Sequence, residues 1–508
     1  VAFLFLKTDK MQKPEHNENN YWRHLPPVSV GSPNLRRRKV LPNPHFSACA
    51  VQKILKIRLV FQIKRTEEEE KKSKDGLKYI YAQMGKKTSD RTKLFLLFLL
   101  LNGLTWAEPI VLNGSMVSSL LGKPINSLRV LDVAGNVIPF QIDEVTREQE
   151  YVCPNGEQPN IEEGNGVLDS SDEIVFLWED CTPGDTAASV RGGTVFKLTK
   201  KGQNRFVWIV EDESVPLSGK KYIDYDDRAR LLKTPWYYAL FAKDRFHFER
   251  AGVVDPGNNG MYYDLTDELS INIRMSALFG LIPIRYTEDN LICFVKRWKA
   301  GPVRLIRRGD FHLNLGLGIK GSRAYVNQVC YPQVVKVPVT LHVPIRFGAL
   351  FRDAFVEMGP VIKKGITGLV YTDYEKFSYN LDDTAKVDTL FSVYPWEHLL
   401  SVNDGKKGYG WVLQTTIPAP SLKGSGTLLK IPSGTHGKAE CGYRLNVDEV
   451  EKGYYEITNW VLFSGNRSGK QLCFDNTFIT SPISITTKNG LFKNIICNTA
   501  SPQRKKRK

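Results

Sequence analysis

What constrains this chain most is a two-residue rhythm. Runs such as "TVFKLTKKGQNRFVWIV", "LSINIRMSALFGLIPIRY", "VKVPVTLHVPIRF" and "YYEITNWVLF" alternate apolar and polar residues between turn-forming Gly, Asn, Asp and Pro. A period of two places every second side chain on one face of a strand, so each run buries one face and wets the other. "LICFVKRW", "GPVRLIRR", "GYGWVLQTTI" and "SPISITT" continue the theme toward the end of the chain. Helical stripes are scarce, and "DDRARLLKT" and "YPWEHLLSV" are only short candidates. The pattern predicts an all-β protein, an antiparallel β-sandwich with a smaller N-terminal β domain. Hairpins are expected at Ala134-Gly135-Asn136 and around Lys201-Gly202-Gln203-Asn204.

The start of the chain reads differently. Met84 opens "MGKKTSDRTKLFLLFLLLNGLTWAEP", with basic residues Lys86, Lys87, Arg91 and Lys93, an apolar core from Leu94 to Leu101, and Thr105-Trp106-Ala107 ahead of Glu108. That is the layout of a secretory signal peptide, with an apolar run too short to span a bilayer. The expected organisation is an upstream or disordered segment 1–83, a signal peptide 84–107, an N-terminal β-sandwich domain 108–215, a large antiparallel β-sandwich domain 216–495 and a basic tail 496–508. The strand pattern breaks near 215–233, where the domain boundary is placed. After signal cleavage no transmembrane span is expected, and the protein is read as secreted, extracellular or periplasmic.

Export changes the meaning of the formal charge of +16. Residues 1–83 hold 17 Lys and Arg against 8 Asp and Glu, and the signal segment holds 4 against 1. Residues 108–508 hold 49 against 45, with five of those cations in the terminal "RKKRK". The folded part is therefore near neutrality, which argues against a nucleic-acid partner.

Seven cysteines follow the signal, at 153, 181, 293, 330, 441, 473 and 497, and none forms CxxC. Export permits disulfides. Cys153–Cys181 and Cys441–Cys473 are the expected local pairs and Cys293–Cys330 a weaker one, with buried thiols as the alternative. His247, His312, His342, His398 and His436 show no HxH or HxxxH spacing, and neither GxSxG nor HExxH occurs. "GLGIKG" at 316–321 sits in an alternating run without a following helix, so it does not read as a dinucleotide loop. Arg308-Gly309-Asp310 spells a cell-adhesion tripeptide by resemblance; its position between two strand runs is all that supports that reading, and a tripeptide is weakly specific.

Two features point toward ligands. Trp236, Tyr237, Tyr238, His247, Tyr262 and Tyr263 cluster in "TPWYYALFAKDRFHFER" and "GMYYDL". Flat aromatic faces suit sugar rings, although alternate aromatics also fill sandwich cores. The second feature is the acidic stretch "EEGNGVLDSSDEIVFLWEDC". With Gly166 at the glycine position of a calcium loop, Glu163, Asn165, Asp169 and Asp172 fall at positions 3, 5, 9 and 12. Ile161 at position 1 supplies no side-chain oxygen, so the match is partial. Calcium is the one cofactor expected, and a solvated structural turn is the competing reading.

The phrases "LRVLDVAGNVIPFQIDE", "GNGVLDSSDEIVFLWED" and "KAGPVRLIRR" together resemble a group of secreted bacterial β-sandwich proteins. "GPVR", Gly301 to Arg304, is also similar to a phrase in the β-supersandwich domains of polysaccharide lyases and galactose-mutarotase-like proteins. The resemblance covers about residues 110–345 and implies fold more than activity. Such lyases neutralise a uronate with Tyr, His, Arg or Lys and abstract a proton. No lyase motif matches residue by residue, so no catalytic residue is assigned. Two functions are expected from the whole. One is a secreted protein that binds or processes extracellular glycans; the other is an envelope or extracellular structural or adhesion protein without catalysis.

Overall fold

In the computed structural model, the described residues run from 107 to 493. They exclude 185–192, 244–245, 256–260, 278–279, 289–292, 315–319, 344–345, 350, 364–368, 373–377, 381–386, 393–396, 404–409, 417–424, 432–438, 449, 464–482 and 488–489. The expected segments 1–83 and 496–508, and all of the signal but Ala107, lie outside them. No helix among the described residues is long and apolar enough to cross a membrane.

The all-β expectation holds, with four antiparallel sheets. A three-stranded sheet runs Pro109–Asn113, Glu173–Leu177, Phe140–Asp143. A six-stranded sheet runs Leu128–Leu131, Gln203–Glu211, Thr194–Lys200, Ser484–Thr487, Gly490–Lys493, with Thr182–Pro183 also on Gln203–Glu211. The C-terminal strands 484–493 thus return to pair with the N-terminal sheet. Two large sheets form the sandwich proper. The ten-stranded one is built round the 17-residue strand Met261–Ala277, and the nine-stranded one runs from Cys293–Ala300 to Ser378–Asn380.

Between the large sheets lies one apolar core. Tyr237, Val253, Leu265, Ile362 and Tyr443 from the ten-stranded sheet meet Leu305, Val335, Leu413, Val461 and Phe463 from the nine-stranded sheet. Tyr237 stacks flat on Phe463, with ring centroids 4.2 Å apart and planes 6° from parallel. A separate core of Ile110, Leu112, Leu128, Ile174, Phe176, Phe196 and Ile209 ties the three- and six-stranded sheets together.

Of the two expected hairpins, one forms. Thr194–Lys200 and Gln203–Glu211 pair around Lys201 and Gly202, both at positive φ, the turn that suits the twist of paired strands. The turn at Ala134-Gly135-Asn136 also closes, with Gly135 at positive φ and Asp132 accepting from the Asn136 backbone. Its ladder stops at the Leu131–Val137 bridge, and the flanking strands then enter different sheets.

The phrases "FQID", "DEIVFL" and "GPVR" meet at the seam between the three-stranded sheet and the large sandwich. Arg304 is fully buried, and its guanidinium reaches Asp143 and Glu173, each at 2.7 Å, and the Tyr331 hydroxyl at 3.0 Å. Lys299 reaches the other Asp143 oxygen at 2.8 Å. Gln141 donates to Asp143 and accepts from the Arg304 backbone. Gly301 must be glycine, because a Cβ there would sit 2.0 Å from Gln141 Oε1. Burial opposes charge on Asp143, but Lys299 and Arg304 outweigh it and hold the carboxyl below its ordinary range.

The expected disulfide pairs do not form, and the alternative of buried thiols holds for the described cysteines. Cys153, Cys181, Cys293, Cys330 and Cys441 are all buried free thiols. Cys153 packs in the cluster around Val303 and Trp460, whereas Cys181 packs with Trp178 and Phe196, so each fills its own core. Cys293 and Cys330 sit on strands separated by Leu305–Asn314, which also parts that pair. Cys473 lies outside the described residues. Burial pushes the Cys153, Cys293 and Cys330 thiols up to about 12, which keeps them protonated and unreactive.

Two tests follow. Arg304→Ala strands Asp143 with only Lys299, and denaturant unfolding should show a loss of about 3–5 kcal/mol. A second concerns buried Glu108, paired with Lys200, whose backbone N–H donates to Glu179. Burial, against Lys200, lifts the Glu108 carboxyl to about 7; burial, against backbone donors, lifts Glu179 to about 8. The native state then binds protons that the unfolded chain releases above its ordinary 4.5. Stability should fall as pH rises from about 5 to about 8 and then level off. Glu179→Gln should flatten the upper part of that melting profile.

Candidate functional site

The aromatic cluster of the sequence is divided by strand alternation. On Tyr237–Phe241, Tyr237 points into the core and Tyr238 to the outer face of the ten-stranded sheet. On Met261–Ala277, Tyr263 packs against the core while Tyr262 faces out, 41% exposed. Trp236 is half-buried against Tyr222, 6.2 Å between ring centroids. His247 is half-buried, with Nδ1 3.0 Å from the Phe248 carbonyl and Nε2 enclosed without a partner. Of the six expected ligand residues, Tyr238 and Tyr262 come together on the outer face.

They do so on one register row. Asp224, Lys233, Tyr238, Gly252 and Asp264 are successive partners across five strands. Because the position between Tyr238 and Asp264 is glycine, the Tyr238 ring lies across it. A Cβ at Gly252 would stand 2.7 Å from Tyr238 Cε1. The phenol thereby reaches Asp264, which also takes the Lys363 ammonium. Tyr262 tilts against Tyr238 with centroids 4.7 Å apart and planes 51° apart. The result is a ledge with an exposed aromatic ring, a carboxylate and an ammonium at its edge. Burial first, then hydrogen bonding to Asp264, pushes the Tyr238 phenol well above its ordinary range. Tyr238 therefore stays protonated and donates, which makes it a positioning group for Asp264.

Asp264 and Lys363 went unread in the sequence. Asp264 had a signal, since it lies two residues beyond Tyr262 and period two puts both on one face. Lys363 had none, because only the pairing of Phe351–Ile362 with Met261–Ala277 brings it near.

The acidic stretch forms a loop bound to itself. Asp172 is buried and accepts from the Val145 and Asp169 backbones at 2.8 and 2.7 Å. Asn165 accepts from Val167 and donates to Asp169, while Glu163 accepts from Asn160. Glu144 closes the turn by accepting from Asn165 and Gly166. Among the described residues no group of three or more His, Cys, Asp or Glu side chains is placed to hold a metal ion. The Arg-Gly-Asp tripeptide lies on the strand Leu305–Asn314, with Arg308 buried against Glu150, Gly309 facing Phe246 and Cys293, and Asp310 half-buried. The strands flanking 315–319 pair antiparallel, and of "GLGIKG" only Lys320 and Gly321 fall among the described residues, on the strand Lys320–Cys330.

No family model and no curated protein matches the chain. Among solved structures, it is similar to an alpha-mannosidase from Enterococcus faecalis V583, at 8% identity and TM-score 0.40, covering 75% of this chain and 43% of that one. It is also similar to an alpha-N-acetylgalactosaminidase from Bifidobacterium bifidum, at 9% identity and TM-score 0.35, covering 48% and 38%. A third is the Slr1438 protein from Synechocystis, at 9% identity and TM-score 0.26, covering 49% and 97%. The chain spans less than half the length of the first two. With overlaps this partial, the sugar chemistry of those proteins stays theirs.

Asp172→Ala leaves two backbone donors of the acidic loop without an acceptor. Unfolding should show a loss of about 1–3 kcal/mol, equally in calcium and in chelator. A loss confined to calcium would instead make the loop a metal site.

Proposed function

We propose that this chain is an exported β-sandwich protein that binds extracellular glycans on the outer face of its ten-stranded sheet. The ledge of Tyr262, Tyr238, Asp264 and Lys363 carries the reading. An exposed tyrosine ring offers apolar area to a sugar face, while a carboxylate and an ammonium at its edge meet hydroxyl groups. The signal-like segment 84–107 supports export. Asp264 is held between a phenol and an ammonium, an arrangement suited to fixing hydroxyls, so binding is the activity assigned to it.

The envelope or adhesion reading has one observation in its favour. At the tip of the hairpin joining Met261–Ala277 to Ile282–Thr287, Leu281 is 80% and Ile282 42% exposed. Among the described strands Ile282–Thr287 pairs with Met261–Ala277 alone, as a branch off the main strand order.

Glycan-array binding of the full chain tests the proposal. Tyr262→Ala should abolish retention on the sugars that wild type binds, leaving the melting temperature within about 2 °C. Absence of binding to every glycan, together with self-association lost in Leu281→Ser, would replace it with the adhesion reading.

A further inference from the structure

A second cluster on the same outer face lies farther along Met261–Ala277. Arg274 is the register partner of Arg285 on one side and of Phe355 on the other. In the adjacent row Asn272 faces Glu357, and Glu357 faces Arg444. Phe355 is flanked by two guanidinium groups, Arg274 at 5.7 Å and Arg444 at 4.9 Å from its centroid. Buried Glu357 accepts from Asn272 at 2.7 Å, Lys430 at 2.6 Å and Arg444 Nε at 2.8 Å. Lys430 also lies 3.8 Å from Glu440. Four cations therefore share two carboxylates.

The imbalance is local. Both carboxylates belong to Lys430 and Arg444, at one end of the cluster. Arg274 and Arg285 are exposed at the other, and neither forms an ion pair with a carboxylate among the described residues. Like charges directly opposite on neighbouring strands disfavour the sheet. Their geometry is nonetheless held: Asn272 Oδ1 accepts from Arg285 Nε at 3.2 Å, and the Phe355 face orients Arg274. Two preoriented guanidinium forks with their N–H edges toward solvent match the paired oxygens of a carboxylate or sulfate.

We propose that Arg274 and Arg285 form an oxyanion subsite, so that the glycans this protein binds are acidic ones bearing carboxylate or sulfate groups. Phe355 holds Arg274 and Asn272 holds Arg285, while Glu357 takes Arg444 and Lys430 in the adjacent row. This rests on the glycan reading and adds the substrate class, from residues the ledge does not contain.

The test uses the full chain at fixed ionic strength against polygalacturonate, chondroitin sulfate, a neutral galactan and duplex DNA. Wild type should bind at least one acidic glycan more tightly than the galactan. Arg274→Gln with Arg285→Gln should weaken that binding roughly tenfold or more, the loss of one to two charge-assisted hydrogen bonds. Circular dichroism confirms the fold, and the single Arg274→Gln variant serves should the double variant not fold. Acidic-glycan affinity unchanged by the substitutions overturns the subsite. So does equal loss of DNA and glycan affinity, which would mark a generic polyanion surface. If galactan alone binds, and Tyr262→Ala abolishes it, the subsite falls while the glycan reading stands. If no glycan of either kind binds, both fall.

Discussion

The buried ion network around Arg304 is the contact on which the rest of the structure depends. Taking a guanidinium and a carboxylate out of water is costly, and only close geometry with every hydrogen bond filled offsets it. Arg304 meets that condition with Asp143, Glu173 and Tyr331, while Gln141 and Lys299 complete Asp143. A network of this kind tolerates no sliding. It therefore fixes the three-stranded sheet against the first two strands of the nine-stranded sheet, the edge strand Cys293–Ala300 that carries Lys299 and its neighbour Leu305–Asn314, which Arg304 immediately precedes. A second latch, Arg297 and Arg308 on Glu150, lies on the same two strands and repeats the arrangement with more exposed partners.

That network also explains why three short phrases stood out. Each contributes one kind of part: a carboxylate with its amide neighbour from "FQID", a second carboxylate from "DEIVFL", and a cation with a space-making glycine from "GPVR". What the resemblance marked as a signature of fold is a signature of how two bodies of β structure are joined. The sequence showed the parts, but a carboxylate at 143 and an arginine at 304 are linked only by tertiary contact.

Much of the fold was legible because strand alternation is local. Period two announced the sandwich, and Lys201-Gly202 announced its hairpin. The failures have equally local causes. The ladder begun at Gly135 and Asn136 ends where Leu128–Leu131 and Phe140–Asp143 join different sheets, and the cysteine spacing suggests pairs that burial in separate cores keeps apart. The candidate site was half-legible. "WYY" and "MYYD" showed that aromatics gather, yet alternation cannot say which of Tyr237 and Tyr238 faces inward. The Arg274 cluster draws on strands more than 150 residues apart in sequence, and only sheet register brings them together.

The strand Met261–Ala277 acts as a ruler. Tyr262 stands near one end and Arg274 near the other, twelve positions apart on the same face, a separation of about 40 Å for an extended strand. If glycans bind at both places as proposed, a short sugar chain is confined to one end of that span. A polymer long enough to reach both turns its second contact into an intramolecular event, with an effective concentration set by the chain between. Affinity should then depend on ligand length in a step, flat below the span and rising once it is bridged. On such a surface, chain length becomes a recognised property in its own right, measured by the rise per residue of a single β-strand.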